Sequence, residues 1–439
     1  MKREDLPPGP PGTGIIGSFP FGTRNPLDVL SEWARRYGDI FYYRAFITRV
    51  FFLNHPSLVE SVLVTNSRSF IKGRGLQVNR RLFGRGLLTS EGELWRRQRK
   101  LCQPSFHREH IDVYGGVMTR YAQRALDRWR DGDAFDLHNE AMRLTLQIAA
   151  HALFGAEVGG MLDEAERALA PIMEFNTRGR ILVPMLRYLP TPRSVRYRLA
   201  VRRLERVVHA ILHAPDAPGK DTLLFVLRRA RREDGMSARQ LRDEVMTLLL
   251  AGHETTALAL AWTFVLLARN PEVETRLAAE IQNGLGGLPP LASDLPRLPF
   301  TARVVKESLR LYPPAYAMAR VAMEDCTVGG YRIPRGASVV MSQWITHRDP
   351  RFFERPEEFL PDRWTEEFSR QLPNFVYFPF GGGPRVCIGA SFATTEVTLL
   401  LASILQRFRV EVIDPDAVRP LPAITLRPEG GVRVIVHKR

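Results

Sequence analysis

The stretch "FPFGGGPRVCIGASF", residues 378–392, places Cys387 behind three glycines, a proline and an arginine. The chain has two other cysteines, Cys102 and Cys326, and no pair has the Cys-x-x-Cys spacing. The cysteine pattern therefore predicts no disulfide framework and suits a reducing cytoplasm. We predict that Cys102 and Cys326 are inert, small apolar side chains. Cys387 has a different setting and needs another explanation.

Two features of this loop favour a thiolate. A predicted helix begins near Gly389, so its positive end points toward the sulfur, and Arg385 adds a nearby charge. The three glycines allow a tight turn and a close approach of the backbone to a flat, bulky group. They do not form a phosphate loop, because the Gly-x-x-x-x-Gly-Lys-[Ser/Thr] pattern is absent. A thiolate on a rigid loop without a second protein ligand suits haem iron, whose other four ligands come from the porphyrin.

The longest helical pattern covers residues 237–269. Ser237 and Gln240 form a capping-box pattern at its start, and Pro271 marks its end. Its centre, "LLLAGHETTALALAW", places charge and glycine among apolar residues, which costs stability. A zinc-protease helix would need a second histidine where the chain has Ala257, so that function is excluded. Two interpretations stay open here, a core helix that tolerates polar groups and a helix that lines a reaction chamber.

Helix-period patterns dominate the rest of the chain, so we predict a mainly α fold with small β-sheets at one side. The predicted helices are 26–37, 56–65, 91–102, 108–130, 138–154, 163–176, 195–213, 221–232, 271–283, 300–311 and 389–408. A strand hairpin is predicted over 39–53, short strands with a Gly329-Gly330 turn over 314–341, and a closing hairpin over 424–436. No linker or repeat divides the chain, so we expect one domain over 1–439, with a Pro/Gly-rich lead-in over 1–25.

The composition narrows the function class. The 62 basic and 47 acidic residues give a formal net charge of +15, and nearly all the basic residues are arginines. Such an excess fits nucleic acid, an anionic membrane, an acidic protein partner or a codon bias, but no nucleic-acid module is present. The most apolar stretch, Ala257–Ala268, is about half the length that spans a bilayer. The first residues contain no signal-peptide core, so we expect a cytoplasmic protein without a transmembrane anchor.

The loop Phe380–Gly389 matches the pattern FxxGxRxCxG of the cytochrome P450 family. Three further motifs match in the family's order. "AGHETT" (251–256) is similar to its oxygen-activation motif, Glu307-Ser-Leu-Arg310 resembles its ExxR motif, and "PDRW" (361–364) stands at its PERF-like segment. The resemblance covers nearly the entire chain and is to the soluble bacterial type. It implies a helical triangular prism with haem b between the long central helix and the helix of the cysteine loop.

The resemblance also implies residues that hold the haem. Cys387 would be the axial metal ligand, and Arg99 would hold a propionate together with Trp95, four residues earlier on the same helical face. The other residues assigned to the cofactor are Arg320, Arg385, Phe380, Gly381, Gly389 and Ala251. Glu307, Arg310 and Arg363 are assigned a structural role behind the cysteine loop.

By the same resemblance, Thr255 and Glu254 are the catalytic residues, which deliver protons for oxygen chemistry. The residues assigned to the substrate pocket are Leu88, Leu248, Ala251, Ala315 and Ile424. All are apolar, so the part of the substrate above the iron is expected to be hydrocarbon. The implied function is a monooxygenase that hydroxylates C–H bonds of a hydrophobic substrate with O₂ and two electrons. A fatty acid or a terpenoid, carotenoid or steroid-like compound would be the substrate.

Three alternatives remain, namely a peroxygenase, an isomerase and a non-catalytic haem protein that senses gas or redox state. Each has little need of the Glu254-Thr255 pair. The chain ends shortly after the last hairpin, so we expect no fused reductase and a separate ferredoxin or flavodoxin, with its own reductase, as electron donor. Arg96, Arg97 and Lys100 share the helix of Trp95 but point away from its propionate-facing side. They are predicted to dock an acidic donor.

Overall fold

Helices make up most of the chain and small sheets complete it, as predicted. The computed structural model describes residues 6–12, 18–20, 24–75, 80–177, 191–215 and 222–439. Its helices are α1 (Pro26–Tyr37), α2 (Pro56–Glu60), α3 (Arg80–Phe83), α4 (Gly92–Cys102), α5 (Arg108–Leu126), α6 (Leu137–Phe154), α7 (Leu162–Thr177), α8 (Pro192–His213), α9 (Leu223–Glu233), α10 (Ala238–Ala268), α11 (Pro271–Leu285), α12 (Pro299–Leu311), α13 (Gln343–Thr346), α14 (Glu366–Gln371) and α15 (Ala390–Arg407). Its strands are β1 (Ile40–Ala45), β2 (Thr48–Leu53), β3 (Phe70–Lys72), β4 (Ala134–Asp136), β5 (Met318–Ala322), β6 (Cys326–Val328), β7 (Tyr331–Ile333), β8 (Ser338–Met341), β9 (Phe408–Val412), β10 (Pro420–Pro422), β11 (Leu426–Pro428) and β12 (Arg433–Lys438).

The five-stranded sheet has the order β1-β2-β8-β5-β3. The predicted hairpin of β1 and β2 is present, and Phe41 stacks on its cross-strand partner Phe52 with ring centroids 4.7 Å apart. Strands β6 and β7 turn at Gly329 and Gly330, as predicted, and both glycines have positive φ. At the sheet edge β3 pairs antiparallel with β5, which sets Lys72 directly opposite another cation, Arg320.

The predicted closing hairpin over 424–436 is wrong. Strand β11 pairs with β10, whereas β12 pairs with β4 and β9 in a different sheet. Gly430 and Gly431 between them have positive φ and carry the chain from one sheet to the other. A Cβ on Gly431 would lie 2.0 Å from Oδ2 of Asp136, whose Oδ1 accepts the N–H of Val432. The alternating apolar pattern was read correctly as strands, but their partners are distant in sequence.

The long helix α10 forms the centre of the molecule. The Ser237 side chain accepts the N–H of Gln240, which confirms the N-cap half of the predicted capping box. Thirty-one residues give a length of about 46 Å. Among the described residues, α10 is the one helix long and apolar enough to cross a membrane, but most of its apolar window is buried inside the protein. Helices α6, α12 and α15 pack against it, so this apolar surface belongs to the core.

A buried ionic cluster lies at one side of this core. The Glu307 carboxylate accepts two hydrogen bonds from Arg310, at 2.8 and 2.9 Å, and one from Arg363 at 3.0 Å. It also accepts the indole N–H of Trp364 and the backbone N–H of Leu360. Five donors on one carboxylate compensate for the loss of its hydration. The cluster therefore joins α12 to the segment that precedes the cysteine loop.

This cluster reaches the cysteine loop through His347. Arg310 donates to the carbonyl of His347 at 2.9 Å, and the His347 ring contacts the carbonyl of Arg310 through Nδ1. Burial lowers the pKa of His347 to about 3, so the ring is neutral. With Nδ1 as the donor, Nε2 accepts the N–H of Phe378 at 2.9 Å. The start of the cysteine loop is thereby fixed to the core.

Candidate haem-binding site

The cysteine loop is a closed turn with its own hydrogen bonds. The N–H of Cys387 donates to the carbonyl of Phe380 at 2.9 Å, and the N–H of Gly381 donates to the carbonyl of Phe378. Gly383 has φ +65°, and a Cβ there would lie 1.9 Å from the carbonyl oxygen of Leu63. We expected the glycines to allow a close approach to a flat external group. Gly383 instead allows a close approach to the chain's own backbone at Leu63.

Cys387 stands at the beginning of α15, where Gly389 is the N-cap residue. Its side chain is accessible, yet protein surrounds it closely enough for burial to raise the pKa of the thiol. It therefore faces a space inside the molecule. Burial raises the pKa of the thiol, whereas the N–H of Gly389 and the charges of Arg99 and Lys72 lower it. The N-terminus of α15 thus lowers the pKa of the thiol, as predicted. The expected charge from Arg385 is instead supplied by Arg99 and Lys72.

Four cationic side chains surround this space. Arg385 donates to the carbonyl of Ser90 at 3.0 Å and pairs with Glu91, and its guanidinium lies 3.9 Å from the ring centroid of Trp95. Arg320 donates to the carbonyl of Ala319 at 3.0 Å. Burial, followed by repulsion from Arg320 and Arg385, lowers the pKa of Lys72 to about 7.

Three of these cations, Arg99, Arg320 and Arg385, carry more positive charge than the carboxylates around them balance. Glu91 is the one carboxylate that pairs with these three within the described residues. The Nη1 atom of Arg385 is buried without a hydrogen-bond partner there. A buried excess of cations requires anions nearby. Two propionates at the edge of a haem meet this requirement, so the residues present fit that group.

Arg99 has a second task that the sequence did not indicate. Its Nη1 donates to the carbonyl of Val386 at 2.7 Å, next to Cys387. Trp95 lies one turn earlier on α4 and is half-buried beneath Arg385. The structure thus brings the predicted propionate residues Trp95, Arg99, Arg320 and Arg385 together around one space.

The middle of α10 supplies another wall of an interior space. Most of this helix is buried, yet Ala251 is exposed and Gly252 and Thr255 are half-buried. Ala251 and Thr255 lie four residues apart on one face, where the Thr255 hydroxyl donates to the carbonyl of Ala251 at 2.8 Å. Accessible atoms in the centre of a buried helix line a cavity. The chamber interpretation of α10 is therefore favoured over the core interpretation.

Glu254 points away from Thr255 and is held by β11. Its Oε1 accepts the hydroxyl of Thr425 at 2.7 Å and Nε of Arg427 at 2.8 Å. No hydrogen bond joins Glu254 to Thr255 in the described part of the chain. Sequence reasoning missed Arg427, because its position in a short strand gives no sign of a partner 173 residues earlier.

The predicted pocket residues lie on segments that α10 holds in place. Tyr316 donates its hydroxyl to the carbonyl of Ala423 at 2.7 Å, which brings the segments of Ala315 and Ile424 together. The segment of Ile424 is also fixed to α10, because the carbonyl of Leu426 accepts the indole N–H of Trp262. Leu248 is buried on α10 itself, whereas Ala315 is exposed and Ile424 half-buried.

Leu88 lies on a loop that two acidic residues of α10 hold. The N–H of Arg85 donates to Asp243 at 2.8 Å, and the N–H of Leu87 donates to Glu244 at 2.9 Å. Burial raises the pKa of Glu244 to about 8. Two adjacent acidic residues in a predicted buried helix indicate that hydrogen-bond donors lie nearby. Here the donors are backbone N–H groups of the loop.

Phe380, Gly381 and Gly389 belong to the cysteine loop, and each makes a different contact. Phe380 packs against the main apolar core. Gly381 has φ +72°, and a Cβ there would lie 3.0 Å from the terminal carbon of Met318. Lys72 and Glu91 belong to the same site and were missed from sequence, although Lys72 is one of only six lysines in the chain.

Comparison with known proteins agrees with this geometry. The family model described as "Cytochrome P450" matches residues 7–434. The chain is 37% identical over 446 residues to "Cyclooctatin synthase" of Streptomyces melanosporofaciens, covering 100% of this chain and 96% of that protein. It is 35% identical to "Pentalenene oxygenase" of Streptomyces avermitilis, covering 95% and 94%.

A solved structure gives the same result for the fold. A six-coordinated cytochrome P450 from Thermus thermophilus superposes with a TM-score of 0.74 at 29% identity, covering 94% of this chain and 98% of that one. The helical architecture, the cysteine loop and the cationic group around it thus have one explanation. The chain belongs to the cytochrome P450 family and is a haem-dependent monooxygenase that acts on a hydrophobic substrate.

Proposed function

We propose that this enzyme hydroxylates a C–H bond of a terpenoid. The observation that carries the proposal is that the residues assigned to the pocket, Leu88, Leu248, Ala251, Ala315 and Ile424, are all apolar, with Ala251 exposed in the middle of the buried helix α10. Such a surface binds hydrocarbon and excludes charged ligands. Two relatives that span nearly the whole chain have names that refer to terpenoid oxidation, a "Pentalenene oxygenase" and a "Cyclooctat-9-en-7-ol 5-monooxygenase".

The assignment of the cofactor residues is part of the proposal. Cys387 would bind the haem iron through its sulfur, with Gly389 N–H, Arg99 and Lys72 stabilising the thiolate. Arg320, Arg385 and Trp95 would hold the propionates. The bound haem supplies the activation of O₂ that C–H hydroxylation requires.

Thr255 and Glu254 would deliver protons to the distal side of the haem. The Thr255 hydroxyl is half-buried at the cavity, where it can donate a hydrogen bond or pass on a proton. Glu254 lies one residue earlier, and its donors Thr425 and Arg427 both bind Oε1. Its Oε2 is left to exchange protons with water. Movement of the Glu254 side chain from Arg427 toward the cavity would carry a proton from water to Thr255.

We expect Thr255→Ala to separate electron consumption from hydroxylation. Without the hydroxyl, product formation should fall by on the order of 10²-fold, with hydrogen peroxide released instead. Glu254→Gln should slow product formation as well, because the amide cannot carry the proton. Product and peroxide are measured per electron consumed. Thr275→Ala is the matched control, since Thr275 makes the same bond to the carbonyl four residues earlier on an exposed helix face.

Unchanged coupling in both Thr255→Ala and Glu254→Gln would contradict the proton-delivery assignment. If Thr275→Ala lowers product formation per electron equally, the effect of Thr255→Ala would come from lower helix stability.

The substrate proposal is tested with a panel of cyclic terpene hydrocarbons, terpene alcohols and fatty acids. We expect a substrate-binding difference spectrum with terpenoids, because the five residues assigned to the lining offer no cation for a carboxylate. With electrons supplied, the binding compounds should yield products that contain one added oxygen. Spectral binding and turnover confined to fatty acids would contradict the terpenoid assignment and leave the monooxygenase assignment intact.

The electron donor is proposed to be a small acidic ferredoxin, with its reductase, which docks beside the cysteine loop on α4. Three basic residues of α4 are exposed there, Arg96, Arg97 and Lys100. Arg96 pairs with Glu93 on the same helix, and Arg97 donates to the carbonyl of Asp234. Lys100 follows Arg99, which contacts the carbonyl next to Cys387. A positive surface formed by these residues would attract an acidic donor, because charge steers association.

Charge reversal at Arg96 and Lys100 should slow reduction by ferredoxin while the affinity for substrate stays unchanged. Raising the ionic strength to about 0.5 M should slow wild-type reduction, because the screening length falls well below 10 Å. Stopped-flow reduction measures the rate. The control reverses Arg44 and Arg49, two exposed arginines on the β1–β2 hairpin. Reduction that is independent of salt, or equally slowed in the control, would place the docking surface elsewhere.

We also propose that the chain acts as one catalytic domain in the cytoplasm. One buried apolar cluster extends from Leu82 to Val436 and includes α10 and α15. A continuous core of this extent is typical of a single folding unit.

A further inference from the structure

Helix α8 presents an unusual outer face. Val195, Leu199, Arg202 and Arg206 lie at positions i, i+4, i+7 and i+11, so they form one stripe along the helix. Val195 is 39% exposed and Leu199 is 47% exposed. The opposite face buries an apolar stripe in the core, with Leu204 and Val208 among its fully buried members. Two aliphatic side chains therefore stand in solvent within a row of arginines.

The positive charge of this face is poorly compensated. Arg206 pairs with Glu164 of α7, at 2.5 Å. Within the ranges that the structure describes, the exposed residues Arg196, Arg198 and Arg202 have no acidic partner.

Positive charges lie close together on the surface of α8. Arg198 and Arg202 are separated by four residues, a spacing at which like charges destabilise a helix. Glu205 of the same helix is occupied by Arg242 of α10, at 2.7 Å. The face therefore carries a cost in the free protein that an anionic surface would remove.

We propose that the outer face of α8 docks the enzyme on a bilayer that contains anionic phospholipid. Arginines would bind the headgroup phosphates, and Val195 and Leu199 would enter the boundary between headgroups and acyl chains. Arginine stems can lie along that boundary while their guanidinium groups reach the phosphates. The helix is about 33 Å long and presents its charges along a line, which suits a plane of headgroups. A bilayer fits this face better than an acidic protein does, because phosphates and acyl chains lie side by side along the whole length of a membrane boundary.

The location of α8 links this face to the substrate loop. Arg242, which pairs with Glu205 of α8, also donates to the carbonyl of Leu82 and to Asp243. Asp243 in turn holds the loop that carries Leu88. A membrane on α8 would therefore lie on the side of the molecule that holds this loop. The purpose of the docking rests on the proposed function, because a terpenoid hydrocarbon dissolves in the bilayer.

The test uses the full-length holoenzyme and sedimentation with vesicles, without substrate or electrons. We expect binding to phosphatidylcholine vesicles that contain about 30 mol % phosphatidylglycerol, and none to pure phosphatidylcholine. Replacing Arg196, Arg198 and Arg202, which are all exposed, by glutamine should lower the partition coefficient by about 100-fold. Leu199→Ser keeps the charge and should lower it by about ten-fold.

The matched control replaces Arg44, Arg49 and Arg68 by glutamine, which removes the same charge from exposed sites on the β1–β2 hairpin and near β3. It should bind vesicles as the wild type does. The proposal is overturned if wild type ignores anionic vesicles or if the control loses as much affinity as the α8 variant. It is also overturned if Leu199→Ser binds like wild type, since a purely ionic face would serve an acidic protein equally well. Vesicle binding requires no turnover, so failure of the terpenoid assignment would not affect this result.

Discussion

The position of the Cys387 sulfur depends on the hydrogen bond from the Phe378 N–H to the neutral ring of His347. Behind that ring lie Arg310 and the buried carboxylate of Glu307, which accepts five hydrogen bonds. Loss of the carboxylate would leave two arginines partly uncompensated, and breaking a buried ion pair in this way typically costs about 3–5 kcal/mol. These hydrogen bonds, from Glu307 through Arg310 and His347 to Phe378, hold the thiol of Cys387 in one position and one orientation.

The second constraint is the surplus of positive charge in front of the loop. Lys72 and Arg320 lie opposite each other on neighbouring strands, Arg385 stacks on Trp95, and Glu91 is their carboxylate partner. Like charges directly opposite each other destabilise a sheet, and a buried guanidinium without a full set of acceptors adds to this cost. The propionates of a bound haem would offset both costs through ionic contacts. Binding of the cofactor should therefore stabilise the fold as well as supply the chemistry.

Sequence reasoning predicted the elements and motifs of this protein better than its pairings. The cap at Ser237, the i, i+4 face of Trp95 and Arg99, and the Gly329-Gly330 turn follow from local spacing, so they were predictable. The partners of Glu254 and Glu244 lie more than 150 residues away, and no local pattern specifies them. The same holds for β11 and β12, whose strand character was correct and whose predicted mutual pairing was wrong. Lys72 was missed because a single lysine in a three-residue strand carries no motif.

The central claim is that the sulfur of Cys387 binds the haem iron. It is tested most directly by the absorption spectrum of the reduced enzyme with carbon monoxide. Thiolate ligation predicts a red-shifted Soret band in the wild type, retained in Cys102→Ser and Cys326→Ser and lost in Cys387→Ser. A Soret band at the position found in histidine-ligated globins, or a red-shifted band that persists in Cys387→Ser, would contradict the account.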